Sequence, residues 1–387
     1  MEKKARVIAY YLPQYHPIPE NDEWWGKGFT EWKSVASAKP LFKGHYQPHI
    51  PADLGFYDLR VPEIREQQAE LALNAGIEGF CYYHYWFGNG RQLLQLPLEE
   101  VYRTGKPDFP FCLCWANHDW SNKLWTDDGK VRKEILLIKQ EYSKEDYIAH
   151  FNYLLPFFKD KRYIKIDNKP CFVIWHPYDI PNVTEFMELW RNLAKENGLE
   201  GIYFIANQPT LTYADLIKQS KSNLFDKQNL NLAKHKFEET FALGFDGLNS
   251  KGEYRAEICV RSRWGIIKKF ISRTFLNKHI LSTCKQKDIN KYLYVEEERR
   301  NDVYPTLLPN WDHSPRSGKK WRIYTESTPE VFKEQINTAL NLLEDRDDEH
   351  RILFLRAWNE WGEGNYVEPD CKYGHGYLDA LRDALKK

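Results

Sequence analysis

The chain has 387 residues, with 55 Lys and Arg set against 55 Asp and Glu. That length holds one large domain or two medium ones, and 42% hydrophobic with 28% charged residues excludes wholesale disorder. Zero formal charge argues against a surface given over to nucleic acid, while 14 Trp, 24 Tyr and 21 Phe suit a flat amphipathic ligand such as a sugar, or simply a large core.

Arg6–Leu12 reads as the first strand. Its apolar run, closed by Pro13, is too short for a secretory signal and no small-residue cleavage site follows, so a cytoplasmic location is expected. No window approaches the roughly 18 apolar residues of a transmembrane helix. Pro62–Ala75 reads as a helix, with Pro at its start and Gly76 just past its end. Strands are expected at Ile77–Tyr83, Phe109–Ala116 and Cys171–Trp175. A helix over Thr184–Asn197 stops at Gly198. Further strands follow at Ile202–Ala206 and Tyr304–Pro309, then a helix over Thr328–Leu343 with Thr328 as cap and Pro329 in its first turn, then a strand at Ile352–Ala357. Cys81, Cys112, Cys114 and Cys171 lie inside these apolar runs and read as buried reduced thiols, not as a disulfide framework.

Strand–helix alternation means a parallel sheet with helices outside. Seven or eight units point to the α/β class and a single (β/α)8 TIM barrel over residues 1–387, with enlarged loops at its C-terminal face; such barrels need about 250 residues and tolerate insertions. A doubly wound sheet is the runner-up, but no glycine-rich phosphate turn follows the first strand. The charge-rich stretch at about 215–303 reads as an insertion in the later loops. Within it, residues 258–287 hold eight Lys and Arg and no acid. An insertion helix with a solvated basic side is the favoured explanation; the alternative is peripheral contact with an anionic membrane.

Polar and aromatic residues cluster where each strand ends, and on a barrel those ends meet at one mouth. The candidate contacts to a carbohydrate are Tyr11, His16, Trp86, Asn117, Asp119, Trp120, Asn310, Asp312, Trp358 and Asn359. Each alone also has a packing explanation, and Asp312 is placed to pair with Arg316. Glu360 and Glu363 are the catalytic candidates. They stand three apart beside Gly362 and Gly364, so a tight turn brings both carboxyls to one side. The like charge helps one keep its proton, which suits retaining glycoside chemistry. Glu368 and Asp370 are further acids just downstream. His45 and His49 are four apart, but the intervening Pro48 argues against a helix presenting both to a metal. No metal, cofactor or nucleic-acid partner is expected, and the oligomeric state is not legible.

The stretch Gly44-His45-Tyr46-Gln47-Pro48-His49-Ile50-Pro51-Ala52-Asp53-Leu54-Gly55-Phe56-Tyr57-Asp58-Leu59-Arg60 resembles the signature of the WbsX family. That family is associated with bacterial O-antigen and capsule clusters and is related to glycoside hydrolase family 99, the endo-α-1,2-mannosidases and mannanases. The resemblance continues in AYYLPQYHPIPEND at 9–22, GFTEW at 28–32, CWANHDW at 114–120, PTLLPNWDHSPR at 305–316 and WNEWGEG at 358–364. It implies a (β/α)8 barrel that acts on glycosidic bonds with retention. Glu360 is then the base that deprotonates the sugar 2-hydroxyl to give a 1,2-anhydro (epoxide) sugar, and Glu363 the acid that protonates the leaving oxygen and later activates water. His118 departs from the acidic residue of many relatives, which implies a changed sugar preference. The alternatives are a glycosyltransferase of O-antigen or capsule biosynthesis and a non-catalytic glycan-binding barrel.

Overall fold

The computed structural model describes residues 3–122, 135–207, 231–260 and 279–386, with isolated positions between 265 and 276. Parallel strands form its core: β1 (Arg6–Tyr11), β2 (Ile77–Trp86), β3 (Phe111–Trp115), β4 (Lys169–Ile174), β5 (Tyr203–Asn207), β6 (Gly247–Asn249), β7 (Val303–Tyr304 and Thr306–Leu307) and β8 (Ile352–Leu355). Neighbours in chain order pair in parallel. The last strand returns to the first, with Arg6 opposite Ile352 and Ala9 opposite Leu355. β7 closes the ring in two pieces, the first on β6 and the second on β8. Pro305 stands between them and has no N–H for the ladder, though its carbonyl still accepts from the Phe354 N–H.

The helices cover the outside: α1 (Pro62–Asn74), α2 (Leu96–Thr104), α3 (Lys144–Phe158), α4 (Val183–Glu196), α5 (Asn231–Ala242), α6 (Glu253–Val260), α7 (Pro329–Asn341) and α8 (Gly376–Leu385). Local chemistry sets their ends. The Ser143 hydroxyl accepts from the Asp146 N–H to start α3, and Thr328 does the same for Val331 in α7, behind Pro329. α4 turns Phe186, Met187, Trp190 and Ala194 inward at helical spacing. The Trp190 indole N–H finds the Tyr147 carbonyl at 3.0 Å, so a fully buried Trp leaves no donor unpaired.

Nearly every strand residue is buried, as a parallel sheet covered on both faces requires. Inside the barrel, Tyr10 packs on Tyr83 and Phe354 with ring centroids 5.5 Å away in each case. Its hydroxyl donates to Asn249 Oδ1 at 2.8 Å. Cys81, Cys112, Cys114 and Cys171 are free thiols in the same interior.

Differences from the sequence expectations have local causes. β3 begins only after Pro110, and β2 runs on to Trp86. β6 was not foreseen, because Gly-Leu-Asn offers one large apolar residue. Its glycine is required by space: a Cβ on Gly247 would stand 2.7 Å from Tyr304 Cε2. α5 and β6 lie inside the stretch 215–303, which therefore supplies a barrel repeat as well as a long β6–β7 connection. That connection adds a strand, Ser282–Lys285, paired with Arg322–Thr325. Among the described residues, no helix is long and apolar enough to cross a membrane. The basic segment 258–287 lies partly outside them.

Candidate active site

The C-terminal ends of the strands open into a cleft of about 660 Å³. Gln14 beyond β1, Tyr83 and Tyr85 of β2, Asn117–Ser121 beyond β3, and Trp175 with His176 beyond β4 form its walls. Arg356, Glu360 and Glu363 come from beyond β8, and Arg316 from the short helix Ser314–Ser317 beyond β7.

The two glutamates sit on a hairpin. Asn359–Glu360 pairs antiparallel with Asn365–Tyr366, and one 3-10 turn, Trp361–Glu363, spans the gap. Gly364 closes it at φ +51°, where a Cβ would meet that of Asp312 at 2.7 Å. Trp361 anchors the hairpin from below. It is fully buried, stacks on Tyr366 with centroids 3.7 Å apart, and donates its indole N–H to Glu368 at 2.6 Å. Glu368 also accepts from Gln68 at 2.7 Å and the Tyr57 hydroxyl at 3.0 Å, so this acid supports the loop from beneath. Burial pushes its carboxyl up to about 7 against the pull of those donors.

One guanidinium ties the cleft together. Arg316 donates to Glu360 Oε2 at 3.0 Å, to Glu363 Oε1 at 2.6 Å, and to Glu31 Oε1 through Nε at 3.0 Å and Nη2 at 2.7 Å. Glu363 has two more basic neighbours, His313 Nε2 at 3.2 Å and Arg356 Nη2 at 3.7 Å. The consequences for the pair are opposite. Burial pushes Glu360 up to about 8, with the negative charges of Glu363 and Glu31 adding to the effect against Arg316. Burial also disfavours ionised Glu363, but His313, Arg316 and Arg356 outweigh it and hold that carboxyl well below the usual range. Near neutrality the pair therefore carries one proton. Burial raises the Tyr83 and Tyr85 phenols, which remain donors at the cleft wall.

Five residues singled out from the sequence are brought together here: Glu360, Glu363, Asn117, Asp119 and Trp120. Trp120 is half-buried, held edge-on by Tyr85 at 5.1 Å and Phe87 at 5.5 Å. Asp119 is exposed, and its Oδ1 accepts from the Gln140 N–H at 2.7 Å. Asn117 is fully buried and clamps the β3 and β4 ends, exchanging two 2.8 Å hydrogen bonds with the His176 backbone.

The other candidates lie behind the wall. Tyr11 donates to Gln68 at 2.7 Å under α1. His16 is 2% exposed. Trp86 donates to Asp146 at 2.9 Å and stacks on His150. Asn310 bonds both backbone sides of the returning strand, at Tyr366 N and O. Trp358 is fully buried, and Asn359 holds both backbone groups of Leu12. Asp312 does not pair with Arg316; it accepts from His45 at 2.7 Å and Gln47 at 2.6 Å, and its backbone N–H meets the Glu363 carbonyl at 2.8 Å. The His45 Nδ1 accepts from the Leu41 N–H, so its proton is on Nε2, facing Asp312. His49 turns elsewhere, to the Tyr366 hydroxyl. Spacing alone did not reveal Glu31, His313 or Arg356 as partners of the pair. Glu31 and His313 do lie inside the GFTEW and PTLLPNWDHSPR motifs, where an acid and a base in quoted motifs were the available signal.

Residues 7–381 match the family described as Glycosyltransferase WbsX. Two proteins of Xanthomonas campestris pv. campestris, each described as uncharacterized protein WxcX, are 34% identical over 386 residues, covering 99% of this chain and 50% of theirs. The chain thus spans about half the length of the curated relatives it matches. A solved glycoside hydrolase-like protein is similar in structure with a TM-score of 0.60 at 14% identity, over 100% of this chain and 95% of that one. A GH99 endo-alpha-mannosidase from Bacteroides thetaiotaomicron gives 0.51 at 15% identity, over 99% and 97%. At such identities the likeness shows the barrel fold. The match over nearly the whole chain, together with the 34% identical relatives, shows that this chain belongs to the WbsX family.

Proposed function

We propose that this chain is a retaining glycosidic-bond enzyme that works through Glu360 and Glu363 on a bacterial polysaccharide or mannose-like glycan. The observation that carries the reading is a pair of buried carboxyls with opposite proton preferences on one guanidinium at the barrel mouth. A carboxyl that keeps its proton beside one that has lost it is the acid and base that this bond requires. Trp120 offers a face for sugar C–H groups and Asp119 an acceptor for hydroxyls. Tyr11, His16, Trp86, Asn310, Asp312, Trp358 and Asn359 are read as supports of the walls.

In the route implied by the family resemblance, Glu360 takes the proton of the 2-hydroxyl. That oxygen attacks the anomeric carbon while Glu363 protonates the leaving oxygen. Glu363 then accepts a proton from water, whose oxygen attacks the anomeric carbon and opens the 1,2-anhydro sugar, while Glu360 returns its proton to the 2-oxygen. The electrostatics of the site favour the proton on Glu360 instead. The two titrate as a unit, so with these roles sugar binding relocates one proton from Glu360 to Glu363; with the roles reversed, none moves. An activated aryl leaving group separates the two orders. The Gln variant that lacks the acid recovers turnover on it, and the variant that lacks the base does not.

The family's description as a glycosyltransferase favours a second reading, in which a sugar hydroxyl replaces water as acceptor. Product analysis by mass on α-mannans and bacterial surface glycans tests both. New reducing ends support hydrolysis, extended chains support transfer, and neither, across glycan, lipid-linked and nucleotide-sugar donors, leaves a binding protein.

A further inference from the structure

We propose that Glu31 is a positioning residue for the catalytic pair: its buried carboxylate shares Arg316 with Glu360 and Glu363 and so keeps one proton on that pair. The inference rests on the reading of those two glutamates as the reacting groups. It concerns a residue from the connection after β1, the strand that pairs with β8, and one more than three hundred positions away in the chain.

Three observations carry it. First, Glu31 is fully buried at the start of the helix Glu31–Ser37, and its Oε1 takes two N–H groups of Arg316. Its Oε2 is buried with no hydrogen-bond partner among the described residues. A carboxylate so poorly solvated is costly, and one that served only to fix Arg316 gains nothing from leaving an oxygen bare. Second, the loop is shaped to admit it. A Cβ on Gly362 would stand 1.6 Å from Glu31 Oε1, so only glycine fits between the two catalytic positions. Third, the same Nη2 serves Glu31 and Glu360. Without Glu31, the Arg316 charge is less neutralised and favours ionised Glu360 more strongly.

The charge balance follows. The groups that face Glu360 are Arg316, Glu363, Glu31 and Arg356, with the phenols of Tyr15, Tyr83 and Tyr85. Burial most strongly disfavours a doubly ionised pair, while Arg316 and Arg356 favour it, the latter also held by Glu253 at 2.7 Å. The charge of Glu31 adds to that of Glu363 and makes the doubly ionised pair more repulsive, so a proton stays.

The test is a pH titration of glutamate carboxyls in protein labelled with 13C-glutamate, read by NMR or by the infrared carbonyl band, which needs no substrate. In the wild type, one carboxyl that disappears in Glu360→Gln should titrate near pH 8. In Glu31→Gln the upper titration of the pair should fall by about one pH unit or more, and Glu31→Asp, which keeps the charge, should largely restore it. An unmoved titration in folded Glu31→Gln overturns the proposal, as does an equal fall in Glu31→Asp, which would make the role steric. If Glu31→Gln does not fold, the wild type still decides: a pair already fully ionised at pH 6 refutes a retained proton. Glycan cleavage can fail while this titration holds, and the reverse, so the two readings are judged separately.

Discussion

Replacing Gly362 by Ala probes how the carboxylate loop is built. The backbone there is not in the left-handed region, so the substitution acts through the added methyl alone. That carbon would stand 1.6 Å from Glu31 Oε1, 2.8 Å from its Cδ and 3.2 Å from Arg316 Nε. The first contact is about 2 Å closer than nonbonded atoms approach. Glu31 has no room to retreat, since it is fully buried and tied twice to Arg316. Overpacking a rigid site costs about 1–3 kcal/mol, and loosening a buried ion pair adds to it, so about 3 kcal/mol is expected. Glu31→Ala alone should also cost about 3 kcal/mol, the low end for breaking a buried pair, because Arg316 keeps two other carboxylates. In the double variant the methyl enters the space that Glu31 leaves. The second substitution should then add less than about 1 kcal/mol, a coupling of about 2 kcal/mol. Urea midpoints at constant slope measure all four proteins. Additive losses, or a Gly362→Ala protein as stable as wild type, would refute the packing of Glu31 into the loop.

Glu360 links stability to pH. Its folded value is raised from 4.5 to about 8, so its contribution is fully present below the unfolded value and is lost as pH rises through about 8. Wild type should therefore lose stability relative to Glu360→Gln across that window, read as urea midpoints against pH; parallel curves contradict the retained proton. Trp120→Ala should raise KM several-fold and leave kcat nearly unchanged, as loss of one stacking face predicts; an equal fall in kcat would place Trp120 in the chemistry. Asp312→Ala leaves the His45 and Gln47 side chains without their shared acceptor and frees the loop at Glu363, so both melting temperature and turnover should fall. Ile271, Phe275 and Leu276 are 45%, 73% and 62% exposed within the basic stretch. Cosedimentation with anionic vesicles but not with zwitterionic ones, lost in Phe275→Ser, is the outcome expected of a membrane contact.

The barrel was legible because its strands are apolar runs and its helices carry capping signals such as Thr328–Pro329 and Gly76. β6 was not, since a three-residue strand carries no periodicity and its glycine answers to Tyr304, a residue far away in the chain. The carboxyl pair was legible as two acids beside two glycines. The role of each neighbour was not. Asp312 and Arg316 are four apart and read as partners, yet the structure gives Asp312 to His45 and Gln47, and Arg316 to three glutamates. Tyr11, Trp86 and Asn359 stand at strand ends as sugar contacts should, but side-chain direction alternates along a strand, and theirs turn into the support behind the wall. Arg316 and Arg356 balance charges that only the folded mouth assembles.

The most direct measurement compares wild type, Glu360→Gln and Glu363→Gln, each verified as folded, on one panel of α-mannans and bacterial surface glycans, with products read by mass. The pair as catalyst predicts turnover by the wild type and a loss of about a hundredfold or more in both variants on native glycans. Turnover that survives in both variants would contradict it, and the chemistry would have to be sought elsewhere in the barrel mouth.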